Sequence, residues 1–285
     1  MYTNIIIVGT GKIADTSMML ALEMRTLENV CVYEYLPSQI SMLKKRAEKE
    51  NVHYEVFYEK SDLTQKLINI NQQTLIISAN NIYIFTKELC DKEEFTIINY
   101  HSSLLPKYAG MNATTWAIYH GENEGGITWH YVDAQIDHGR ILKQKKCAIE
   151  KDMTALQLNR RYDALATEAL KELLPPLLQG QTPCQPTYQD MKYRSVYRTN
   201  DIPDDGFLDI EKGTAYCYRV LRSMDYGVFS IFSAPILDIE GEKYCVEKYQ
   251  FSDDAIEKET VVSRQENVVK IGDKDGTLML WIKRN

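Results

Sequence analysis

The chain has 285 residues, of which 44% are hydrophobic and 26% charged, and its formal net charge is -7. This length accommodates one large domain with a sizeable core and one small domain. No apolar run approaches the roughly 20 residues that a membrane span needs, and the first apolar run leads into a glycine turn rather than a signal-peptide cleavage site. We therefore expect a cytoplasmic protein with no membrane partner.

Cysteine and histidine spacing argues against a zinc site and against a disulfide framework. The chain has no Cys-x-x-Cys pair among its six scattered cysteines, Cys31, Cys90, Cys147, Cys184, Cys217 and Cys245. The five histidines show no metal-ligand spacing either. We expect reduced thiols and no bound metal.

The first 80 residues alternate short apolar runs with amphipathic segments. Strands are predicted at residues 4–8, 30–33, 54–57 and 74–79. Helices are predicted from the glycine turn through Met24, over residues 37–50, and from about Ser61. Alternation of this kind predicts an α/β fold with a Rossmann-like, doubly wound, mainly parallel sheet.

The glycine turn after the first strand permits a second interpretation. Gly9-x-Gly11-x-x-Ala14, with Glu34 at the end of the second strand, is a passable dinucleotide fingerprint. In a dehydrogenase, such a helix start holds a pyrophosphate and the acid holds a ribose. Many other α/β folds need the same tight turn for packing alone, so NAD binding stays the weaker alternative.

Polar side chains follow the apolar run at residues 95–98, where a buried strand ends. Asn99 and His101 are two positions apart, so they should share one face of that strand. Another strand is predicted at residues 127–132, and Asp137 comes just beyond its end. An amide, an imidazole and a carboxylate are therefore expected at the edge where open α/β sheets bind ligands.

The sequence pattern changes in the second half of the chain. A long helix, capped by Asp152 and ended by Pro175 and Pro176, precedes a linker over residues 192–204. A helix is predicted at residues 214–223 and short strands at 229–232, 244–249, 268–271 and 278–282, with a hairpin turn at Asp275-Gly276. We predict two domains, residues 1–195 and a small β domain at 196–285.

Three motifs resemble those of a known family. Residues 99–106 read Asn-Tyr-His-Ser-Ser-Leu-Leu-Pro, Asp137-His138-Gly139 follows with Asp137 36 positions after His101, and residues 126–130 read Gly-Ile-Thr-Trp-His. They resemble the formyltransferases that use 10-formyltetrahydrofolate, whose hallmark is Asn-x-His-x-Ser-Leu-Leu-Pro followed by Asp-x-Gly. The resemblance covers most of residues 1–180, and the remainder looks like the small β-barrel, OB-like tail of the transfer-RNA formylating branch.

The resemblance implies a catalytic trio whose chemistry suits formyl transfer. Asn99 and protonated His101 would donate hydrogen bonds to the formyl oxygen as negative charge grows there. Asp137 would hold His101 charged and take a proton from the attacking amine, directly or through a water. Ser103, Thr128 and His130 resemble supporting residues. A lone Asn or His at a strand end is more often a loop-capping group, and only the combined motif favours catalysis.

For the cosubstrate, the resemblance implies a slot for the flat pterin of 10-formyltetrahydrofolate. By position, its walls are Tyr83-Ile84-Phe85 and the loop Asp133-Ala134-Gln135-Ile136, which leads to Asp137. An apolar slot with backbone polar edges suits such a ring. The alternative is that Ile84 and Phe85 begin a helix over the core.

Four observations concern the amine that would accept the formyl group. The chain is similar to formylating modules associated with non-ribosomal peptide synthetases at residues 108–113, 127–130 and 139–144, and no basic loop follows the second strand. Ala109 stands where other branches generally carry an Arg. Residues 201–285 contain 11 Lys and Arg against 17 Asp and Glu, whereas a tail that grips phosphates would be basic.

These observations disfavour nucleic acid as a partner. The expected activity is N-formylation of a specialised-metabolite amine, such as in antibiotic biosynthesis. The acceptor would be an aminoacyl group tethered to a carrier protein, which is narrowly favoured, or an amino sugar nucleotide. Methionyl-tRNA formylation, a 10-formyltetrahydrofolate hydrolase in which water replaces the amine, and a non-catalytic binding module remain as alternatives. The oligomeric state is open, with a homodimer among the options.

Overall fold

The computed structural model describes residues 2–24, 27–37, 41–182, 185–229, 231–256 and 261–284. The chain forms two compact units. The first comprises Met1–Met111, Gly125–Cys147 and Arg160–Val196, and the second comprises Asn112–Glu124, Ala148–Asn159 and Tyr197–Asn285. The longest segment of the second unit thus begins at Tyr197, and the two-domain boundary at residue 195 stays a prediction.

Seven strands form the larger sheet. They are β1 (Asn4–Gly9), β2 (Asn29–Tyr35), β3 (His53–Phe57), β4 (Thr74–Ala79), β5 (Phe95–His101), β7 (Glu124–Tyr131) and β8 (Ile141–Ala148), and the two-residue strand β6 (Ala109–Gly110) lies between β5 and β7 in the chain. The order is β3-β2-β1-β4-β5-β7-β8. Strands β1 to β5 run parallel, and β7 is antiparallel to β5. The predicted Rossmann-like, mainly parallel sheet is confirmed.

Burial explains which strands could be predicted from the sequence. All six residues of β4 are buried, and β1 is buried from Ile5 onward, as expected for central strands of a sheet covered on both faces. Strand β8 was not predicted, because its polar sequence Lys-Gln-Lys-Lys follows only two apolar residues. It lies at the edge of the sheet, where polar and charged residues are common.

The helices follow the predicted order with some different ends. They are α1 (Gly11–Leu22), α2 (Met42–Lys49), α3 (Lys60–Ile68), α4 (Lys87–Cys90), α5 (Ala113–Tyr119), α6 (Ala155–Leu178) and α7 (Thr214–Met224). Helix α1 ends at Leu22, two residues before the predicted Met24. Helix α2 begins at Met42, where Ser41 accepts a hydrogen bond from the Lys44 N–H. The start predicted at residue 37 is wrong, and residues 38–40 lie outside the described residues.

Helix α6 continues through the two prolines that were predicted to end it. Pro175 and Pro176 lie inside the helix, which extends to Leu178. Each proline removes one helical hydrogen bond. Leu177 and Leu178 are each only 3% exposed, and the Leu178 carbonyl accepts a hydrogen bond from the Tyr2 N–H at 2.8 Å. Packing of the last turn therefore outweighs the local cost of the prolines.

The second unit contains a smaller antiparallel sheet. Its strands are β10 (Ile236–Ile239), β11 (Glu242–Ser252), β12 (Val261–Gln265), β13 (Val268–Asp273) and β14 (Gly276–Arg284), and the short strand β9 (Val196–Tyr197) precedes them in the chain. The order is β10-β11-β14-β13-β12. The predicted helix is α7, which packs against β13 and β14. A hairpin joins those two strands, and its turn is at Lys274-Asp275, one residue before the predicted Asp275-Gly276. The predicted small β domain architecture is confirmed.

The strand predicted at residues 229–232 is wrong. Phe229 and Ile231 lie in bends and are 57% and 49% exposed, and residue 230 is outside the described residues. The Ile231 N–H donates to the Phe229 carbonyl at 3.0 Å, which is a local turn rather than a ladder bond. Strand β10 begins instead after Pro235. Within the described parts of the chain, no helix is long and apolar enough to cross a membrane.

Candidate active site

The end of β5 brings two polar side chains to one place. Strand β5 pairs with β7 in antiparallel register, so that Asn99 lies opposite His130 and His101 lies opposite Thr128. Side chains two positions apart on a strand point to the same face. Asn99 Nδ2 lies 3.1 Å from His130 Nε2, which adds a second imidazole to the predicted pair.

The Asp137 carboxylate is the point on which these side chains converge. Its Oδ1 accepts a hydrogen bond from Asn99 Nδ2 at 3.3 Å and lies 3.5 Å from His130 Nε2. Its Oδ2 lies 3.4 Å from His101 Nδ1 and accepts a hydrogen bond from the Gly110 N–H at 2.8 Å. The structure therefore brings the three predicted catalytic side chains together, and His130 with them.

Backbone carbonyls determine which ring nitrogens carry hydrogen. His101 Nε2 lies 2.7 Å from the Tyr108 carbonyl oxygen, to which it donates. A proton on His101 Nδ1 would then point at Asp137. His130 Nδ1 lies 2.7 Å from the Tyr131 carbonyl oxygen, and its Nε2 lies 3.1 Å from Asn99 Nδ2 and 3.5 Å from Asp137 Oδ1. The arrangement makes His101 the imidazole whose protonated form the carboxylate stabilises.

The surroundings of Asp137 keep it ionised. Its side chain is 11% exposed, and burial alone would raise its pKa. The positive charge of His101, the hydrogen bond and charge of His130, and the Gly110 N–H outweigh burial and hold the pKa of Asp137 below its ordinary value. A carboxylate at neutral pH can accept a proton from an amine that loses one.

The two donors that face Asp137 are loosely held. The Asn99 contact is 3.3 Å and the His101 contact is 3.4 Å, against 2.8 Å for the Gly110 N–H. Catalytic hydrogen bonds are often long in the absence of substrate. An oxygen atom placed beside Asn99 and His101 can therefore compete for their hydrogens at little cost.

Ser103 and Thr128, the other two predicted supporting residues, stabilise the turn that follows β5 rather than contacting the Asp137 carboxylate. Thr128 Oγ1 donates to the Ser103 carbonyl at 2.7 Å and accepts from the Leu105 N–H at 3.1 Å. Ser103 Oγ donates to the Lys107 carbonyl at 2.6 Å. Gln144 Nε2 adds bonds to Thr128 Oγ1 and to the Leu105 carbonyl, both 2.9 Å. This network fixes the chain that leads to the Tyr108 carbonyl.

Side chains of the proposed pterin slot alternate between the core and the surface. Tyr83 and Phe85 are 4% and 6% exposed and belong to the core of the first unit. Ile84 and Ile136 are 50% and 49% exposed. Helix α4 begins after Thr86, whose Oγ1 accepts from Leu89 N at 3.4 Å, so the alternative that Ile84 and Phe85 begin a helix is wrong.

The rest of the predicted slot lies on the loop before Asp137. Ala134 and Gln135 are exposed. Asp133 accepts a hydrogen bond from the Gln135 N–H at 2.9 Å and lies 2.7 Å from His138 Nδ1. The loop thus presents an exposed edge whose turn is fixed by its own side chains, and its role in binding stays a prediction.

The glycine turn serves packing. A Cβ at Gly9 would lie 2.0 Å from the Ala79 carbonyl oxygen, so only glycine permits this approach of β1 to the end of β4. Glu34, the acid of the dinucleotide fingerprint, is 2% exposed and accepts hydrogen bonds from the hydroxyls of Ser41 and Tyr54. The carboxylate needed to hold a ribose is already engaged inside the protein.

The sequence interpretation missed the residues that hold the Asp137 loop from outside. Gln189 Nε2 donates to the carbonyls of Asp137 and Gly139, and Arg194 Nη1 donates to the Asp137 carbonyl. Both residues follow Asp137 by more than 50 positions. Nothing in their local sequence marks them, because their partners are backbone carbonyls.

Among the residues that the structure describes, no cluster of three His, Cys, Asp or Glu side chains is placed to hold a metal ion. No disulfide joins the described cysteines, and Cys184 lies outside the described residues.

Comparison with known families gives one match over more than half of the chain. Residues 4–174 match the family model described as formyl transferase. The GDP-perosamine N-formyltransferase of Brucella melitensis is 34% identical over 149 residues, which are 52% of this chain and 54% of that protein. The methionyl-tRNA formyltransferase of Caldanaerobacter subterraneus is 36% identical over 120 residues, which are 42% of this chain and 38% of that protein. The chain thus matches about half the length, or less, of these relatives.

Solved structures with the same fold cover the whole chain. WlaRD, a sugar 3N-formyl transferase crystallised in the presence of dTDP and 5-N-formyl-THF, superposes with a TM-score of 0.78 at 21% identity, over 100% of this chain and 99% of that one. An N-formyltransferase from Helicobacter canadensis, in complex with folinic acid and dTDP-3-aminofucose, gives a TM-score of 0.76 at 20% identity, over 99% and 100%. At these identities the likeness establishes the fold.

Proposed function

This chain belongs to the formyl transferase family, and from that premise we propose that it moves the formyl group of 10-formyltetrahydrofolate to a primary amine. The observation that carries the proposal is the convergence of Asn99, His101 and His130 on the Asp137 carboxylate at the end of β5. An ionised carboxylate with an amide donor and an imidazole each within 3.5 Å of it meets the needs of acyl transfer without a nucleophilic side chain.

The proposed reaction exchanges one carbon–nitrogen bond for another. A neutral amine forms a bond to the formyl carbon, the bond from that carbon to N10 of the folate breaks, and the amine gives up a proton while N10 gains one. Asn99 donates a hydrogen bond to the formyl oxygen as it gains negative charge. His101, protonated at Nδ1, supplies a second, charge-assisted donor. One such donor contributes about 3 kcal/mol to lowering the barrier.

Asp137 is the proposed proton acceptor. Its pKa lies below the ordinary value, so it is a carboxylate at neutral pH and can take the proton of the attacking amine, directly or through a water. The same charge stabilises protonated His101 at 3.4 Å. We assign Asn99, His101 and Asp137 the catalytic roles and His130 the role of orienting Asn99, to which it lies 3.1 Å away.

For the folate we propose the exposed side chains of the two loops beside the site. Ile84 and Ile136 project outward, while Tyr83 and Phe85 form the packed layer beneath Ile84. A flat pterin requires apolar faces and polar edges, which outward isoleucines and loop backbone groups offer. Phe85 supports this wall from the core, so the residue to test is Ile84 rather than Phe85.

For the acceptor we propose an amino sugar nucleotide. A relative that shares 34% identity is named GDP-perosamine N-formyltransferase, and the two structural neighbours described above are a sugar 3N-formyl transferase and an N-formyltransferase crystallised with an amino sugar nucleotide. The aminoacyl group on a carrier protein, narrowly favoured by the sequence, stays a prediction. The acidic C-terminal segment, with 11 Lys and Arg against 17 Asp and Glu, disfavours a transfer-RNA acceptor.

The test measures folate binding and acceptor choice separately. Calorimetry with 5-formyltetrahydrofolate should show binding by the wild type and weaker binding by Ile84→Asp, because a carboxylate would then face the apolar ring. Ile82→Asp, which alters an exposed isoleucine of the same loop (54% exposed), is the matched control. NAD should show no binding. Tight NAD binding without folate binding would contradict the proposal.

Acceptor assays then compare GDP- and dTDP-linked amino sugars, an aminoacyl carrier protein and initiator methionyl-tRNA. We expect formylation of an amino sugar nucleotide and weak transfer-RNA binding even at low salt, where phosphate contacts are strongest. Efficient formylation of the transfer RNA, with an affinity for it that falls steeply as salt rises, would favour methionyl-tRNA formylation instead. Efficient formylation of the carrier-bound amine alone would replace the sugar acceptor with the carrier.

A further inference from the structure

The loop that carries Asp137 has an unusual backbone conformation. Asp137 has a φ of 46°, in the left-handed region, which is unfavourable for a non-glycine residue. Two positions later, a Cβ at Gly139 would lie 1.8 Å from the Tyr131 carbonyl oxygen. The far side of the loop is therefore pressed against β7, while the Asp137 peptide itself requires support from elsewhere.

That support comes from four N–H donors on a distant segment of the first unit. Gln189 Nε2 donates to the Asp137 carbonyl at 3.0 Å and to the Gly139 carbonyl at 2.9 Å. Arg194 Nη1 donates to the Asp137 carbonyl at 3.0 Å, and Nη2 donates to the Ile136 carbonyl. The Asp137 carbonyl thus accepts from both side chains, and the hydrogen bonds extend over residues 136–139.

The amide of Gln189 has an orientation set by this loop. Gln189 is 9% exposed, and its Oε1 is buried without a hydrogen-bond partner among the described residues. Rotating the amide by half a turn would bring Oε1 against two carbonyl oxygens, which repel it. A buried acceptor left unsatisfied is destabilising. The orientation that holds the loop is retained at that cost.

We propose that Gln189 and Arg194 are positioning residues, which keep the Asp137 carboxylate within reach of Asn99 and His101 by holding the carbonyls of Ile136, Asp137 and Gly139. Neither side chain approaches the reacting atoms. Their effect passes through the backbone of Asp137, whose contacts with Asn99 and His101 are already as long as 3.3 and 3.4 Å. A small relaxation of the loop therefore separates the carboxylate from both.

The kinetic test of this proposal rests on the proposed formyl transfer. A second test measures the pKa of Asp137 and needs no substrate. The groups that face the carboxylate are Asn99 and His101 from β5, His130 from β7 and the Gly110 N–H. Burial raises the pKa of Asp137, and the two imidazoles and the N–H lower it further than burial raises it. If the loop relaxes, these groups act over longer distances and the pKa of Asp137 rises.

The test compares Gln189→Met, which keeps the size and removes the donors without changing charge, with Gln189→Glu, which places a carboxylate against two carbonyl oxygens. We expect Gln189→Met to lower kcat by at least about tenfold, with the KM for the amine changed by less than about threefold because substrate contacts are retained. Gln189→Glu should lose more. The acid limb of the pH profile of kcat should move to higher pH in Gln189→Met.

A measurement without substrate separates this proposal from the proposed function. Carboxyl NMR of labelled protein, with the Asp137 signal assigned by its loss in Asp137→Asn, should give a higher pKa for Asp137 in Gln189→Met than in the wild type. This result would support positioning even if no amine tested were formylated. An unchanged pKa and an unchanged kcat in folded Gln189→Met would overturn the proposal.

Arg194 gives an independent pair of variants should Gln189→Met fail to fold. Arg194→Met removes both donors, whereas Arg194→Lys keeps the charge and loses the two-pronged geometry. We expect both to lower kcat, Arg194→Lys by less. Arg46→Met is the matched control, because Arg46 forms exposed ion pairs with Asp15 and Glu50. Equal kcat values for Arg194→Met, Arg46→Met and the wild type would contradict the proposal.

Discussion

Each compact unit holds a buried aspartate that accepts several hydrogen bonds, and the two differ in what donates to them. Asp137, in the first unit, faces His101, His130, the Asn99 amide and the Gly110 N–H. Asp273, in the second unit, accepts from the Thr214 N–H at 2.8 Å, from the Thr214 hydroxyl, and from the Asp275 N–H at 2.9 Å.

Both carboxyl groups are more acidic than usual, for different reasons. Burial raises both pKa values, and the donors lower each below its ordinary range. Around Asp273 these donors are a hydroxyl and backbone N–H groups, which keep their protons at any ordinary pH. Around Asp137 they include two imidazoles, a type of side chain that can either donate or accept a proton. The first arrangement fixes the start of α7, and the second can carry out proton transfer.

The largest expected effect tests this contrast through activity. Asp137→Asn, Asn99→Ala and His101→Ala should each lower the kcat of formyl transfer by at least about a hundredfold, since each removes a proton acceptor, donor or orienter. Asp273→Asn should keep kcat per folded molecule within about threefold of the wild type, because only its fixed donors change. Steady-state kinetics on purified, folded protein measures both. Near-normal turnover in all three variants of the first unit would show that formyl transfer is not catalysed at this site.

Stability should separate the two aspartates less than activity does. Asp273→Asn replaces an acceptor oxygen with an amide that faces N–H and hydroxyl donors, so we expect a loss of about 1–3 kcal/mol in the free energy of unfolding. Asp137→Asn should also lower the free energy of unfolding at neutral pH, because the groups that face its carboxylate outweigh the burial of its charge. Urea unfolding of both variants measures this. A variant of either aspartate that is as stable as the wild type at neutral pH would contradict this expectation.

Different parts of the molecule also differ in how far the sequence predicts them. Asn99, His101 and Asp137 could be found because a strand end and a motif concentrate them in the chain, and the parallel strands are continuous apolar runs. Strand β8, Gln189 and Arg194 could not, because an edge strand is polar and a side chain that binds backbone carbonyls has no sequence pattern. Residues 229–232 were predicted as a strand from β-branched and aromatic composition alone, yet no neighbouring strand pairs with the described ones.

A third aspartate, Asp163 on α6, shows what burial does when donors are few. Burial raises the pKa of Asp163 to about 6, and the charge of Lys12 lowers it by less. Because the pKa is higher in the folded protein than in the unfolded chain, Asp163 favours folding below about pH 4, and this contribution is lost as the pH rises through about 6. Asp137 and Asp273 behave in the opposite way, since their lowered pKa values favour folding above about pH 4.

The smallest expected effect follows from the raised pKa of Asp163. Asp163→Asn should raise the free energy of unfolding at pH 7 by about 1–2 kcal/mol, a figure reduced from the full linkage value because the side chain is partly exposed. Near pH 4 the variant and the wild type should be equally stable, since the wild-type carboxyl is then protonated. Urea unfolding at both pH values measures the difference. A variant that is less stable than the wild type at pH 7 would show that the attraction between Asp163 and Lys12 exceeds the cost of burying the charge. The ionised form of Asp163 would then favour folding, as the ionised forms of Asp137 and Asp273 do.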